Sequence, residues 1–138
     1  MEILMNQLTA EDFNRLFRSI GWREPSLKVA QKALDHSYAT FSVVEKGRTI
    51  AMARLLGDGA MSFYLKTLVV EPEYQGKGIG ARLVRYIEEY IHGEIEDDTR
   101  VCFELMCSAG KEGFYEKLGY EQTPTWLYGA GMLKMIEK

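Results

Sequence analysis

Three glycines within five positions, in the stretch EYQGKGIGARLV from Glu73 to Val84, constrain the fold of this chain more than any other feature. Glycine at this density weakens helices and strands, so a turn is expected there. Apolar residues then recur at helical spacing; they are Ala81, Val84, Ile87 and Ile91. The pattern predicts a loop that leads into an amphipathic helix, which ends near His92.

The loop has the properties of an anion site. Glycines leave backbone N–H groups unobstructed, and the dipole of the following helix favours negative charge at its N-terminus. A phosphate or pyrophosphate is the expected ligand, and a tight packing turn is the alternative. The P-loop pattern fails, since no Gly-Lys pair precedes Ser or Thr. Gly76, Gly78 and Ala81 match the dinucleotide pattern GxGxxA, but residues 71–75 separate them from the preceding strand, which follows antiparallel strands.

Two helices are expected before this loop, near the start of the chain. An apolar stretch precedes Thr9, and Thr9 with Asp12 resembles a capping box that opens a helix to about Ile20. Ser26 then introduces a second amphipathic segment that ends near His36. The beginning of the chain is therefore predicted as a strand followed by two helices.

The remaining elements are strands and one short helix. Residues 38–72 are rich in β-branched and aromatic side chains and contain two glycine turns, which predicts a three-strand antiparallel meander. An acidic loop over Gly93–Arg100 precedes a strand at Val101–Met106, which the crossover helix makes a candidate parallel neighbour of the last meander strand. FYEKLGY predicts a short helix capped by Gly119, and a last strand is expected after Gly131.

These elements predict a single α+β (mixed α/β) domain over residues 1–138, with a mostly antiparallel sheet flanked by helices. The net charge of −3 argues against a nucleic-acid partner. No apolar run approaches the roughly 18 residues of a membrane span, and no secretion signal is recognisable, so a cytoplasmic protein without membrane attachment is expected. His36 and His92 suggest no metal site, and Cys102 and Cys107 are expected to be buried free thiols.

Two motifs together resemble the GCN5-related N-acetyltransferase (GNAT) superfamily. LVVEPEYQGKGIGARLV is similar to the family signature, in which Gln75, Gly78 and Gly80 match the pattern of Gln or Arg, two residues, Gly, one residue, Gly or Ala. FYEKLGY is similar to the later family helix that carries a tyrosine, here Tyr115. The resemblance extends from about Ser42 to the C-terminus.

The resemblance implies acetyl-CoA as cofactor. Backbone groups of Leu68, Val69 and Val70 would pair with the pantetheine arm as an added strand, on a sheet splayed at the cofactor site. The CoA pyrophosphate would be held by N–H groups of the glycine loop, with the charges of Lys77 and Arg82 nearby. The loop residues are Gln75, Gly76, Lys77, Gly78, Ile79, Gly80 and Ala81.

The resemblance also implies direct attack of a neutral amine on the thioester carbonyl. A backbone N–H at Val69 or Val70 would stabilise the developing oxyanion, and Tyr115 would protonate the leaving thiolate, because a phenol stays protonated at neutral pH. Many relatives have an acidic residue on the strand before the loop, whereas this chain has none between Ser62 and Val70. Asp58 and Glu104 are the candidate bases, with a turn-forming role and a solvated strand charge as alternatives.

Polar and aromatic residues in unusual places suggest the acceptor pocket. Trp22, Arg54 and Tyr64 are the candidates, and Trp126 and Tyr128 would add walls. Core or interface burial is the alternative for the aromatics, and a strand-end ion pair is the alternative for Arg54.

The sequence thus predicts an acetyl-CoA-dependent N-acetyltransferase acting on a primary amine, of a small metabolite or else of a protein. A catalytically weak acyl-CoA-binding or sensing module is the alternative, and nicotinamide-dinucleotide binding is a third hypothesis. A homodimer is also possible, in which the segment MLKMI pairs across a sheet edge.

Overall fold

A five-stranded open sheet organises the first 105 residues of the computed structural model, which describes all residues 1–138. Its strands are β1 (Glu2–Met5), β2 (Ala39–Glu45), β3 (Arg48–Gly57), β4 (Ser62–Val70) and β5 (Cys102–Leu105). They lie in the order β1-β2-β3-β4-β5, and every pair is antiparallel except β4 and β5, which are parallel. The predicted meander and parallel neighbour are confirmed.

Three helices belong to the same compact unit, Met1–Leu105: α1 (Ala10–Ser19), α2 (Leu27–Asp35) and α3 (Ile79–Glu94). The Thr9 hydroxyl accepts the Asp12 N–H at 3.1 Å, and the Ser26 hydroxyl accepts the Val29 N–H at 3.2 Å. Each bond satisfies a donor that the first turn of a helix leaves without a partner. Both predicted helix starts are therefore correct, whereas α3 continues through Glu94, two residues beyond the predicted helix end.

Helices cover both faces of the sheet. On one face, α1 and α2 bury an apolar cluster with Met52 of β3 and Val69 of β4, to which the helices contribute Phe13, Leu16, Ala30 and Leu34. On the other face, α3 buries a stripe at helical spacing, namely Ile79, Leu83, Val84, Ile87 and Ile91. Its Tyr86 and Tyr90 rings meet the Phe41 ring edge-on. Burial of side chains of this size contributes roughly 1.5–3 kcal/mol each, so these two clusters hold the sheet between its helices.

The second compact unit, Met106–Lys138, contains one short helix, α4 (Glu112–Glu116). The Gly119 N–H donates to Glu116 O and the Tyr120 N–H to Tyr115 O, with Gly119 at φ +94°. This is the Schellman arrangement, and it confirms the predicted cap at Gly119.

The strand expected after Gly131 is absent, and this prediction was wrong. Residues 129–138 form neither helix nor strand, and four apolar side chains there are exposed: Met132, Leu133, Met135 and Ile136. A segment this apolar suits a strand, but a strand forms only where a neighbour supplies hydrogen-bond partners, and the second unit contains no strand. The homodimer through MLKMI stays a prediction.

The expected burial of both cysteines was also wrong. Cys102 is exposed because it lies on β5, an edge strand, and Cys107 is partly exposed; neither forms a disulfide. His36 and His92 are exposed at helix ends. None of the helices is both long enough and apolar enough to cross a membrane.

Candidate active site

Strand β4 carries an irregularity in its pairing with β3. Arg54 pairs with Lys66 and Met52 pairs with Val69, so Ala53 faces two residues, Thr67 and Leu68. Thr67 adopts φ +59°, a left-handed conformation that costs a residue other than glycine about 1–2 kcal/mol. Bulges of this kind occur often beside functional sites, where they redirect a strand.

Beyond the bulge, β4 separates from its other neighbour. The β4–β5 ladder runs only from Ser62 opposite Cys102 to Leu65 opposite Leu105. Residues 66–70 of β4 therefore have no strand on that side. The Glu71 N–H bonds to Ile50 O at 2.8 Å, toward β3, so the groups of the preceding residue, Val70, point away from β3. Leu68, Val69 and Val70, the residues expected along the pantetheine arm, lie on this open edge.

The glycine loop joins this open edge to α3. A short 3₁₀ turn, Pro72–Tyr74, follows β4, and Gly76 and Gly78 have φ +75° and +79°. Gly78 is the N-cap of α3 and offers no side chain to cap it. The first helical hydrogen bond runs from the Arg82 N–H to Gly78 O, and the N–H groups of residues 76–81 have no acceptor within the chain. Consecutive free N–H donors at a helix N-terminus form an anion site.

Gln75 has a different role from the one expected. Its N–H, predicted to join the loop donors, instead donates to Pro72 O at 3.2 Å. Its side-chain amide donates to the Val70 carbonyl at 2.9 Å, on the open side of β4. Gln75 therefore ties the glycine loop to the end of β4.

A buried carboxylate that the sequence analysis did not identify stabilises the junction between β4 and the loop. Glu71, 8% exposed, accepts hydrogen bonds from Arg48 and, at 3.2 Å, from Arg15 of α1. The Arg48 hydrogen bond, aided by the charges of both arginines, lowers the pKa of Glu71 against the effect of burial. Its partners lie 23 and 56 residues away in sequence, so no local pattern could have revealed the contact.

Two basic side chains lie near the free N–H groups in sequence. The Lys77 ammonium lies 5.2 Å from the centre of the Tyr74 ring, a cation–π distance. Arg82 is exposed in the first turn of α3. Neither forms an ion pair, so both charges are available to an anion.

Of the predicted acceptor residues, the sheet brings Arg54 and Tyr64 to one face. Arg54, Lys66 and Tyr64 lie on the face covered by α1, because Arg54 pairs with Lys66 and side chains alternate along a strand. Arg54 forms no ion pair, so the alternative prediction of a strand-end ion pair is wrong. Trp22 lies in the loop after α1, 39% exposed, and its ring meets Phe17 edge-on at 5.1 Å.

Asp58, one of the two candidate bases, is a turn residue. Its carboxylate accepts the N–H groups of Ser62, Ala60 and Met61 at 2.8–2.9 Å, and these bonds lower the pKa of Asp58 to about 2. A carboxylate with so low a pKa is a poor proton acceptor. Glu104 is exposed on β5, opposite Tyr64 in the ladder, and it remains the candidate on the open side of the sheet.

Tyr115 lies on α4, in the second unit, and is half-buried there. Its ring packs edge-on against Phe114 and Tyr120, at 4.9 and 5.8 Å between ring centres. Burial raises the pKa of the Tyr115 phenol to about 12, and Cys107 acts in the same direction. In the same unit Trp126 is 95% exposed and Tyr128 is also exposed, so neither is a core residue.

The chain is similar to known proteins in sequence and in fold. The chain is 28% identical over 123 residues to the uncharacterized N-acetyltransferase ycf52 of Porphyra purpurea, a match that covers 86% of this chain and 68% of the relative. The chain spans about half to two thirds of the length of the curated relatives it matches. A probable acetyltransferase of Staphylococcus aureus, 26% identical, superposes with a TM-score of 0.82 over 98% of both chains.

A more distant structure, an aminoglycoside 6′-N-acetyltransferase complexed with coenzyme A, is 20% identical. It shares the fold at a TM-score of 0.59 over 68% of this chain and 57% of its own. The model of the acetyltransferase (GNAT) domain matches residues 37–122, more than half of the chain. The chain therefore belongs to the GNAT family of acetyltransferases.

Proposed function

We propose that this protein transfers the acetyl group of acetyl-CoA to a primary amine, and that residues 1–138 act as one acetyltransferase domain. The observation that carries the proposal is the continuous path from the open edge of β4 to the free N–H groups of residues 76–81. The family match supports the single domain, since residues 37–122 extend across the boundary at residues 105 and 106.

The residues present fit coenzyme A. The open edge of Leu68–Val70 offers strand-like hydrogen bonds to an extended amide-containing arm. The N–H groups of residues 76–81, with the charges of Lys77 and Arg82, suit a pyrophosphate. When bound, acetyl-CoA supplies an acyl thioester that an amine can attack.

Two groups of the chain would assist the transfer. The Val70 N–H points away from β3 and is the donor we assign to the charge that develops on the thioester oxygen. Tyr115 is the acid we assign to the departing thiolate. With a pKa of about 12, its phenol remains protonated throughout the neutral range. Overall, the amine nitrogen gains the acetyl group and loses a proton, and the CoA sulfur gains one.

The acceptor that we propose is a small amine rather than a protein amine. We assign its pocket to Trp22, Arg54 and Tyr64. The basis is the partial exposure of Arg54 and Tyr64 on one sheet face, beside the bulge that begins the open edge. A half-buried arginine suits a compact polar group better than an extended peptide. Glu104 is the carboxylate we assign to proton removal from the amine, directly or through water.

Release of free thiol from acetyl-CoA, measured over a panel of amines and against an amine-free control, tests the activity. Amine-dependent release is expected for at least one small amine. Tight CoA binding by calorimetry without turnover for any amine would support the sensing module instead. Thermal stabilisation by NAD but not by CoA would contradict the assignment of the glycine loop.

A further inference from the structure

Arg54 differs from the other partly buried arginine of the chain, Arg15. Arg15 forms ion pairs with Asp12 and Glu71. Arg54 forms none, and its recorded hydrogen bonds go to two hydroxyls, Thr67 Oγ1 at 3.3 Å and Ser37 Oγ at 3.5 Å. A desolvated cation without a countercharge is costly, so its presence calls for an explanation other than stability.

The guanidinium group of Arg54 retains donors for a ligand. A guanidinium has five N–H donors, and Nε uses one for Thr67 while Nη1 uses one for Ser37. The second Nη1 donor and both Nη2 donors have no partner in the chain. The terminal nitrogens of such a fork bind a carboxylate or a phosphate in bidentate fashion.

A second cation reinforces this charge. Lys66 lies directly opposite Arg54 in the β3–β4 ladder, and like charges in this position repel. Lys66 is exposed and forms no ion pair, and its ammonium lies 6.0 Å from the centre of the Tyr64 ring. The Phe13 ring lies beneath the Arg54 guanidinium, with its centre 6.0 Å from the guanidinium carbon. This neighbour therefore supplies no negative charge to Arg54. An anion bound between Arg54 and Lys66 would remove the repulsion.

The pair is also close to the proposed reaction centre. Thr67, which accepts the Arg54 Nε–H, is the left-handed residue of the bulge and immediately precedes Leu68–Val70. Three residues of strand span about 10 Å, and a bulge shortens that path. A small molecule can therefore reach from Arg54 to the Val70 N–H.

We propose that Arg54 and Lys66 bind an anionic group of the acceptor, so that the enzyme acetylates small amines that also carry a carboxylate or a phosphate. This inference rests on the proposed function, because it assigns the acceptor of the same site. Burial also lowers the pKa of the Arg54 guanidinium, yet that group remains charged at neutral pH and able to bind the anion.

The test compares amines that differ in charge. The pairs are 4-aminobutanoate with butylamine and O-phosphoethanolamine with ethanolamine, each measured as kcat/KM with saturating acetyl-CoA. For at least one pair the wild-type protein is expected to prefer the anionic member by about 10- to 100-fold, the range expected for the loss of one hydrogen bond to a charged group. The pair with the larger ratio distinguishes carboxylate from phosphate.

The variant Arg54→Gln is expected to bring that ratio close to one. Arg100→Gln, which removes an exposed arginine that also lacks an ion pair, should leave the ratio unchanged. Thermal unfolding adds a readout of structure: Arg54→Gln should keep or raise the unfolding midpoint, since it removes an unpaired desolvated charge. A lower midpoint with an unchanged ratio would assign Arg54 a structural role and overturn the inference.

Failure of this inference can be distinguished from failure of the proposed function. Thiol release with butylamine and ethanolamine at rates equal to those of their anionic partners would overturn the inference and leave the transferase intact. If none of the amines supports thiol release, the proposed transferase activity is contradicted. In that case calorimetry of the CoA-loaded protein with 4-aminobutanoate and O-phosphoethanolamine decides, because binding abolished by Arg54→Gln supports the anion site and no binding overturns it.

Discussion

The substitution Gly78→Ala separates the backbone conformation of the glycine loop from its contact with coenzyme A. Gly78 has φ +79°, and a Cβ built there meets no atom within 4 Å. Gly47, in the turn between β2 and β3, has φ +76° and equally open surroundings. An L-residue in the left-handed region costs about 1 kcal/mol. Both Gly78→Ala and Gly47→Ala should therefore lower the unfolding midpoint by about 4 °C in a chain of this length.

Coenzyme A binding is expected to respond only to Gly78→Ala. Its methyl group would project into open space beside the loop, and we expect it to hinder the approach of a pyrophosphate to the N–H groups of residues 76–81. Hydrogen bonds to charged groups contribute about 1.5–3 kcal/mol, so losing one raises the Kd for CoA by about 10- to 100-fold. Titration calorimetry measures the Kd for both variants. Wild-type affinity in Gly78→Ala, or an equal loss in Gly47→Ala, would refute this account of the loop.

Three further predictions concern other parts of the structure. Glu71→Gln should lower the free energy of unfolding, measured by denaturant titration, by about 2 kcal/mol. Because folding lowers the pKa of Glu71, this difference between the wild-type protein and the variant should be full above the pKa of the unfolded state and should decline as the pH falls. A difference that does not change with pH would contradict this account. Tyr115→Phe should reduce kcat about 100-fold with little change in the Kd for CoA, and an unchanged kcat would remove its acid role. Asp58→Ala should lower the unfolding midpoint but leave kcat unchanged, whereas a large fall in kcat at full folding would restore Asp58 as a base.

Local chemistry explains why much of the fold was predictable. The caps at Thr9, Ser26 and Gly119 depend on hydrogen bonds to residues at most a few positions away, so their spacing is visible in the sequence. The glycine loop was predictable for the same reason, because Gly76 and Gly78 adopt the left-handed conformation that a turn before a helix requires locally.

Features that depend on distant partners were not predictable in this way. Thr67 adopts its left-handed conformation without the glycine or asparagine that usually signals one, because the ladders on either side determine it. Glu71 contacts Arg15 and Arg48, which lie 56 and 23 residues away in sequence, so only the folded chain places them side by side. The strand predicted after Gly131 was wrong because the apolar character of a segment does not reveal whether a pairing partner exists.

The bulge in β4 also reverses the phase of the strand. Before it, the even-numbered Tyr64 and Lys66 lie on the face of α1, as does Arg54; after it, the odd-numbered Val69 lies there with Met52. Side chains repeat every two residues, so one additional residue exchanges the two faces. Strand β4 thus consists of two half-strands in opposite registers, one presenting polar side chains and the other an apolar side chain to the same helix. Deleting one residue at the bulge would merge them into one regular strand in which Val69 still faces α1 opposite Met52, so the additional residue is what allows Lys66 and Val69, three positions apart, to share a face.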